Sequence, residues 1–76
     1  MSRNYRYFRK HFEGLTRRHG GGVVVIAGGR LVGTCRRKNL RQVALLVERA
    51  RRADPLEPPF VAPVPTVKEL GTPLLI

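Results

Sequence analysis

Three side chains in this sequence could support nucleophilic or metal chemistry: His11, His19 and Cys35. A zinc site needs about four ligands at local spacing, and this set does not supply them. Cys35 is followed by Arg36 and Arg37, the one arrangement that would favour a nucleophilic thiolate. The preferred reading is a small, half-buried side chain in a reduced cytosolic protein, with both histidines as solvated helix residues. The five acids are scattered, and no two are spaced as an acid/base pair. Gly28-Gly29-Arg30-Leu31-Val32-Gly33 lacks the G-x-G-x-x-G spacing, and no G-x-x-x-x-G-K-[ST] occurs. These glycines join strand to strand, so no helix N-terminus awaits a phosphate there. The expectation is a non-enzymatic protein without metal or cofactor.

Charge is the remaining chemistry. Fifteen Lys and Arg against five Asp and Glu leave +10 on 76 residues. Residues 1–52 hold 14 of the basic side chains and only Glu13 and Glu48, a net +12. Residues 53–76 hold Lys68 against Asp54, Glu57 and Glu69, a net −2. That balance predicts attraction to polyanions. Arg3, Arg6, Lys10 and Arg17 fall opposite the aromatic stripe of a first helix. Arg36, Arg37 and Lys38 precede a second helix, and Arg41, Arg49 and Arg52 line its outward face. These ten are the expected nucleic-acid contacts, and the binding should weaken steeply with salt. Sequence-specific reading is not expected. The strands offer no exposed aromatic pair for base stacking, and a hairpin separates the helices, which excludes a helix-turn-helix.

RNA or a ribonucleoprotein, the ribosome included, is the first expected partner. An acidic protein would engage the same arginines. The competing expectation is therefore a protein-interaction module, as a dimer or a small subunit of a larger complex. Its candidate contacts are Leu45, outward among the arginines, and the tail residues Leu70, Leu74, Leu75 and Ile76.

The elements that must position these groups are legible in the pattern. Tyr5, Phe8, Phe12 and Leu15 recur at three and four, which predicts one amphipathic helix ended by Gly20 to Gly22. Val23 to Ala27 is apolar throughout and mostly β-branched, the pattern of a central strand covered on both sides. Gly28-Gly29 suits a two-residue hairpin turn. Arg30 to Cys35 return as a second strand, in which Gly33 marks a bulge or a close backbone approach. Asn39 caps a second helix at about 40–53. Leu40, Val43, Ala44, Leu46, Val47 and Ala50 form its apolar face, and Glu48 can pair with Arg52 one turn on. Pro55 stops that helix. Phe60 to Val64 is a third strand, and Pro63 and Pro65 remove N–H groups along one side of it, which predicts an edge position.

Together these predict an α+β class: a two-layer αββαβ domain with a three-stranded mixed sheet of order 2-1-3. Both helices are expected on one face of that sheet. Residues 1–65 form the domain, and 66–76 an apolar tail, flexible or bound to a partner. One face of Val23 to Ile26 would then stay open, to be covered by a dimer, a partner or the tail. A single cysteine excludes a disulfide scaffold, and the longest apolar runs, Val23 to Ala27 and Val43 to Val47, are far too short to span a membrane. The basic start is not followed by an apolar stretch, so no secretory signal is read and a cytoplasmic location is expected.

The layout resembles a family of short bacterial and archaeal proteins known only as a domain of unknown function. The matching pieces are Tyr5 to Leu15, Gly22, Val24 to Ile26, Gly28-Gly29, Leu31 to Gly33, Leu40 to Ala53 and Phe60 to Pro65. The resemblance spans most of residues 4–65 and implies an αββαβ fold with no enzymatic residues. That family's second helix is typically rich in Glu, and here it is rich in Arg, so a shared partner does not follow.

Overall fold

The computed structural model describes residues 2–66 and residue 68. Ser2 opens the first helix, its Oγ accepting the Tyr5 backbone N–H at 3.1 Å. The helix is bent at His11 into α1 (Arg3–Lys10) and α2 (Phe12–His19). The single helix expected from the aromatic spacing is thus two short ones. The hydrogen-bond ladder runs on through the bend: His11 N–H donates to Tyr7 O at 3.0 Å, and Leu15 N–H to His11 O at 2.9 Å. No proline stands there. Bending keeps Phe8 and Leu15 in the same core cluster as the rod follows the sheet.

The strands are β1 (Gly22–Ala27), β2 (Arg30–Arg36) and β3 (Phe60–Pro63), with α3 (Leu40–Ala53) between β2 and β3. Gly28 and Gly29 take φ of 63° and 76°, the two positive values that a tight hairpin turn of this hand requires. Asn39 caps α3 as expected, its side-chain oxygen accepting the Gln42 N–H at 3.1 Å. The sheet order is β2-β1-β3, with both ladders antiparallel. β2 and β3 share a direction but are not neighbours, so the sheet is antiparallel and not mixed. β3 is an edge strand, where the missing N–H of Pro63 does no harm.

The expected two-layer packing is overturned. Successive side chains of a strand point to opposite faces. Val24 and Ile26 join Leu15, Ala62 and Val64 in one core cluster, with Phe8 against it. Val25 and Ala27 join Leu46 and Ala50 in a second cluster, with Val47 against it. The α1–α2 rod therefore covers one face of the sheet and α3 the other, in three layers. The reason lies in β1. Val24, Val25, Ile26 and Ala27 are all buried, and each large apolar side chain gains about 1.5–3 kcal/mol from that burial. A strand apolar on both faces keeps this gain only under two covers. No dimer or tail is needed to close the second face.

Leu40 and Ala44 are exposed, so the inward face of α3 is Val43, Leu46, Val47 and Ala50. Leu40 stands in the first turn and Ala44 is rotated about 100° from Val43, which takes both off the sheet. Tyr5 is also more exposed than its place in the stripe implied, although its ring meets Phe60 edge-on at 5.6 Å.

Gly33 shows both features expected of it. The β1–β2 register slips between Val25 and Ile26, leaving Val32 as the extra residue of a bulge. A side chain at Gly33 would also begin 2.6 Å from Leu46 Cδ2.

Asn4 was not singled out from the sequence, yet it is fully buried. Its Oδ1 accepts the Gly29 N–H at 2.9 Å, and its Nδ2 donates to Pro58 O at 3.2 Å. One side chain thus ties α1 to the hairpin turn and to the approach to β3. Thr16 is the opposite case. Its Oγ1 is the one buried side-chain polar atom without a partner among the described residues. Replacing Thr16 by Val removes that orphan at nearly constant shape. It should stabilise the fold by about 1 kcal/mol, read as a Tm higher by roughly 4–8 °C.

Candidate nucleic-acid interface

The rod of α1 and α2 lies over β1 and β3, where Phe8 meets Phe60 at 5.2 Å between ring centres. It leaves β2, at the other edge of the sheet, only partly covered. A furrow results between the rod and β2. Three adjoining concavities make it up. The first, about 500 Å³, lies between α1 and the Gly28-Gly29 turn and is lined by Arg3, Arg6, Tyr7, Lys10 and His11. The second shares Tyr7, Lys10 and His11 and adds Arg18 and His19 above Leu31. The third shares His19 and reaches Thr34, Cys35 and Arg36. Along β2 the lining runs from Leu31 to Arg36, roughly 17 Å at 3.3 Å per residue.

Five permanent cations line it (Arg3, Arg6, Lys10, Arg18 and Arg36) against a single acid, Glu13. That acid is 3.9 Å from Arg17. Arg3 is partly committed elsewhere, 3.3 Å from Asp54 and 3.7 Å from Glu57. It anchors the start of α1 to the α3–β3 connection while leaving its side chain two-thirds exposed. A concave row of like charge focuses field on whatever polyanion enters it.

The ten basic residues expected from the sequence separate into groups. Arg3, Arg6, Lys10 and Arg36 come together in the furrow. Arg17 points to Glu13 instead. Arg37 reaches across to Val64, donating from Nη2 to its carbonyl at 3.0 Å, a structural role. Lys38 is exposed on the loop before α3. Arg41, Arg49 and Arg52 are exposed on α3, beyond the opposite face of the sheet, so one continuous surface does not join the two helix arrays. Arg52 lies 3.9 Å from Glu48, the pair expected one turn apart. Leu45 is 59% exposed beside Arg49 and Arg52. Leu70, Leu74, Leu75 and Ile76 lie outside the described residues.

Sequence reasoning missed Arg18, Tyr7 and both histidines as furrow residues. Their spacing offered a clue, since Tyr7, His11 and Arg18 share one side of a helical rod. The strands carry no exposed aromatic pair, and the ring pair that borders the furrow is on the helix. Tyr7 and His11 lie 4.3 Å apart at 36° between ring planes. Cys35, the one thiol, is half-buried against the Leu46 cluster.

The molecule is thus an α+β domain with a basic furrow along one sheet edge. No family model, no curated protein and no solved structure matches the chain. Among the described residues no helix is long and apolar enough to cross a membrane.

Proposed function

We propose that this protein is a non-enzymatic domain that binds RNA or a ribonucleoprotein through the furrow between the α1–α2 rod and β2. The observation that carries this reading is the lining: five cations and one acid around three adjoining shallow concavities. Such a lining tracks phosphates by charge and shape and needs no base-specific contact. The likeness to the short prokaryotic αββαβ family stands beside this reading on the layout of residues 4–65 alone and assigns no residue a role.

The test is a salt titration with mixed-sequence RNA. Four phosphate contacts, from Arg6, Lys10, Arg18 and Arg36, predict a slope of about −3 in log affinity against log salt. Lys10→Ala should reduce that slope by about 0.7. The double variant Lys10→Glu, Arg18→Glu should abolish binding at moderate salt. Arg41→Glu with Arg49→Glu should leave it unchanged, because those side chains lie on the other layer. A flat salt response, or loss of binding only with the α3 variant, removes the furrow from consideration.

A second reading is favoured by a specific observation. Leu40 and Leu45 are 74% and 59% exposed on α3, amid Arg41, Arg49 and Arg52. An acidic protein segment with an apolar anchor would suit that face. Selective loss of a protein partner with Leu45→Glu, with RNA affinity intact, supports it.

A further inference from the structure

We propose that the furrow takes RNA as a single strand, with a base stacked on the Tyr7–His11 pair; this rests on the furrow being the RNA site. Two rows run side by side along α1 and into the break at His11. Arg6 and Lys10 stand four residues apart, and Tyr7 and His11 stand four residues apart next to them, so each row repeats one turn along the helix. One row is cationic and the other is aromatic. A nucleotide carries its phosphate and its base on opposite sides of the sugar, so adjacent rows of these two kinds engage both ends of it.

The ring pair sits where two concavities meet, since Tyr7, Lys10 and His11 line both. Tyr7 is half-buried and packs against the core cluster, which holds its ring in place before any ligand arrives. His11 is exposed, and its ring lies 4.3 Å from that of Tyr7 at a tilt of 36°, which leaves an aromatic surface open to the furrow. In a duplex the base faces are covered by their neighbours, and the A-form major groove is too narrow for side chains to read. Paired RNA would therefore use the cations and gain nothing from the rings. Unpaired bases would use both, without regard to sequence, because every base has a face to stack.

The experiment compares a ten-nucleotide single-stranded RNA with a duplex of the same composition, by fluorescence anisotropy at fixed salt. Wild type should prefer the single strand by about tenfold or more, and His11→Ala should weaken that complex by about 5- to 150-fold. The same variant should leave duplex affinity and the salt slope as they were. His11→Phe, which keeps the ring and discards the imidazole, should retain the single-strand preference. A 2-aminopurine base in the strand should be quenched on binding to wild type and not to His11→Ala. His11 is exposed, so these variants fold, and a thermal melt of each verifies it. Equal losses for Ala and Phe, or an equal loss on duplex RNA, overturn the stacking proposal and leave the furrow as the site. Absence of salt-dependent RNA binding by wild type overturns both.

Discussion

Asn4→Leu should be the most damaging conservative substitution in this protein. The two side chains are similar in size, so the change isolates hydrogen bonding from packing. It strands the Gly29 N–H, now donating at 2.9 Å, and the Pro58 carbonyl, now accepting at 3.2 Å. An orphaned buried group costs about 1–3 kcal/mol, and the combined loss here should be about 3 kcal/mol. A domain of this length commands only about 4–11 kcal/mol in all. The expected readout is a Tm lowered by roughly 12–24 °C.

Asn4→Asp separates the two bonds. A carboxylate can still accept from Gly29, but it turns a lone pair toward the Pro58 carbonyl where Asn4 presents N–H. Burial and that repulsion raise the folded-state pKa of the new carboxyl above its unfolded value of about 3.9. The folded state then binds more protons than the unfolded one, so its stability falls as pH rises from the unfolded pKa through the raised folded pKa. The deficit against wild type should be large at pH 7 and should shrink toward pH 4. A deficit that ignores pH means that Asn4 acts by packing alone.

The second large effect is on the other face of the sheet. Leu46 is buried, and its Cδ2 occupies the place where a Gly33 side chain would begin. Leu46→Ala should cost about 2–5 kcal/mol through the cavity left behind. Gly33→Ala should cost about 1–3 kcal/mol through overpacking against Leu46. Combined, the new methyl enters the space vacated by the leucine. The double variant should therefore be more stable than the two single losses predict, by about 1 kcal/mol or more. Denaturant melts of the four proteins measure this coupling. Strict additivity would mean that α3 does not rest on Gly33, and the third layer would be wrong.

Much of this architecture is written in short-range chemistry. The Gly28-Gly29 turn, the Asn39 cap and the edge placement of the third strand each depend on one or two residues with a narrow conformational repertoire. The bounds of α3, Leu40–Ala53, follow from a cap at one end and Pro55 just past the other. The break at His11 is not legible, because no proline or glycine stands at that position. Asn4 was not legible either. An asparagine in the first turn of a helix is ordinary until the turn at Gly29 and the chain at Pro58 fold down upon it.

The furrow divides in the same way. Arg6 and Lys10 could be placed on one helix side from spacing alone. Arg36 was read with the helix that follows it, yet it lines the furrow with His19, on an element 17 residues earlier. Periodicity states that a helix has an apolar side, and it does not state which face of a sheet that side will meet. The element types, the hairpin and the excess of positive charge are legible in the residues because they depend on local conformation and composition, and the strand order is legible because an apolar strand must be central and a proline-bearing one must be at an edge. That α1–α2 and α3 take opposite faces emerges from the packing alone. Burying both sides of Val24 to Ala27 requires two covers, and that division gathers one set of cations along β2 and leaves the other on α3.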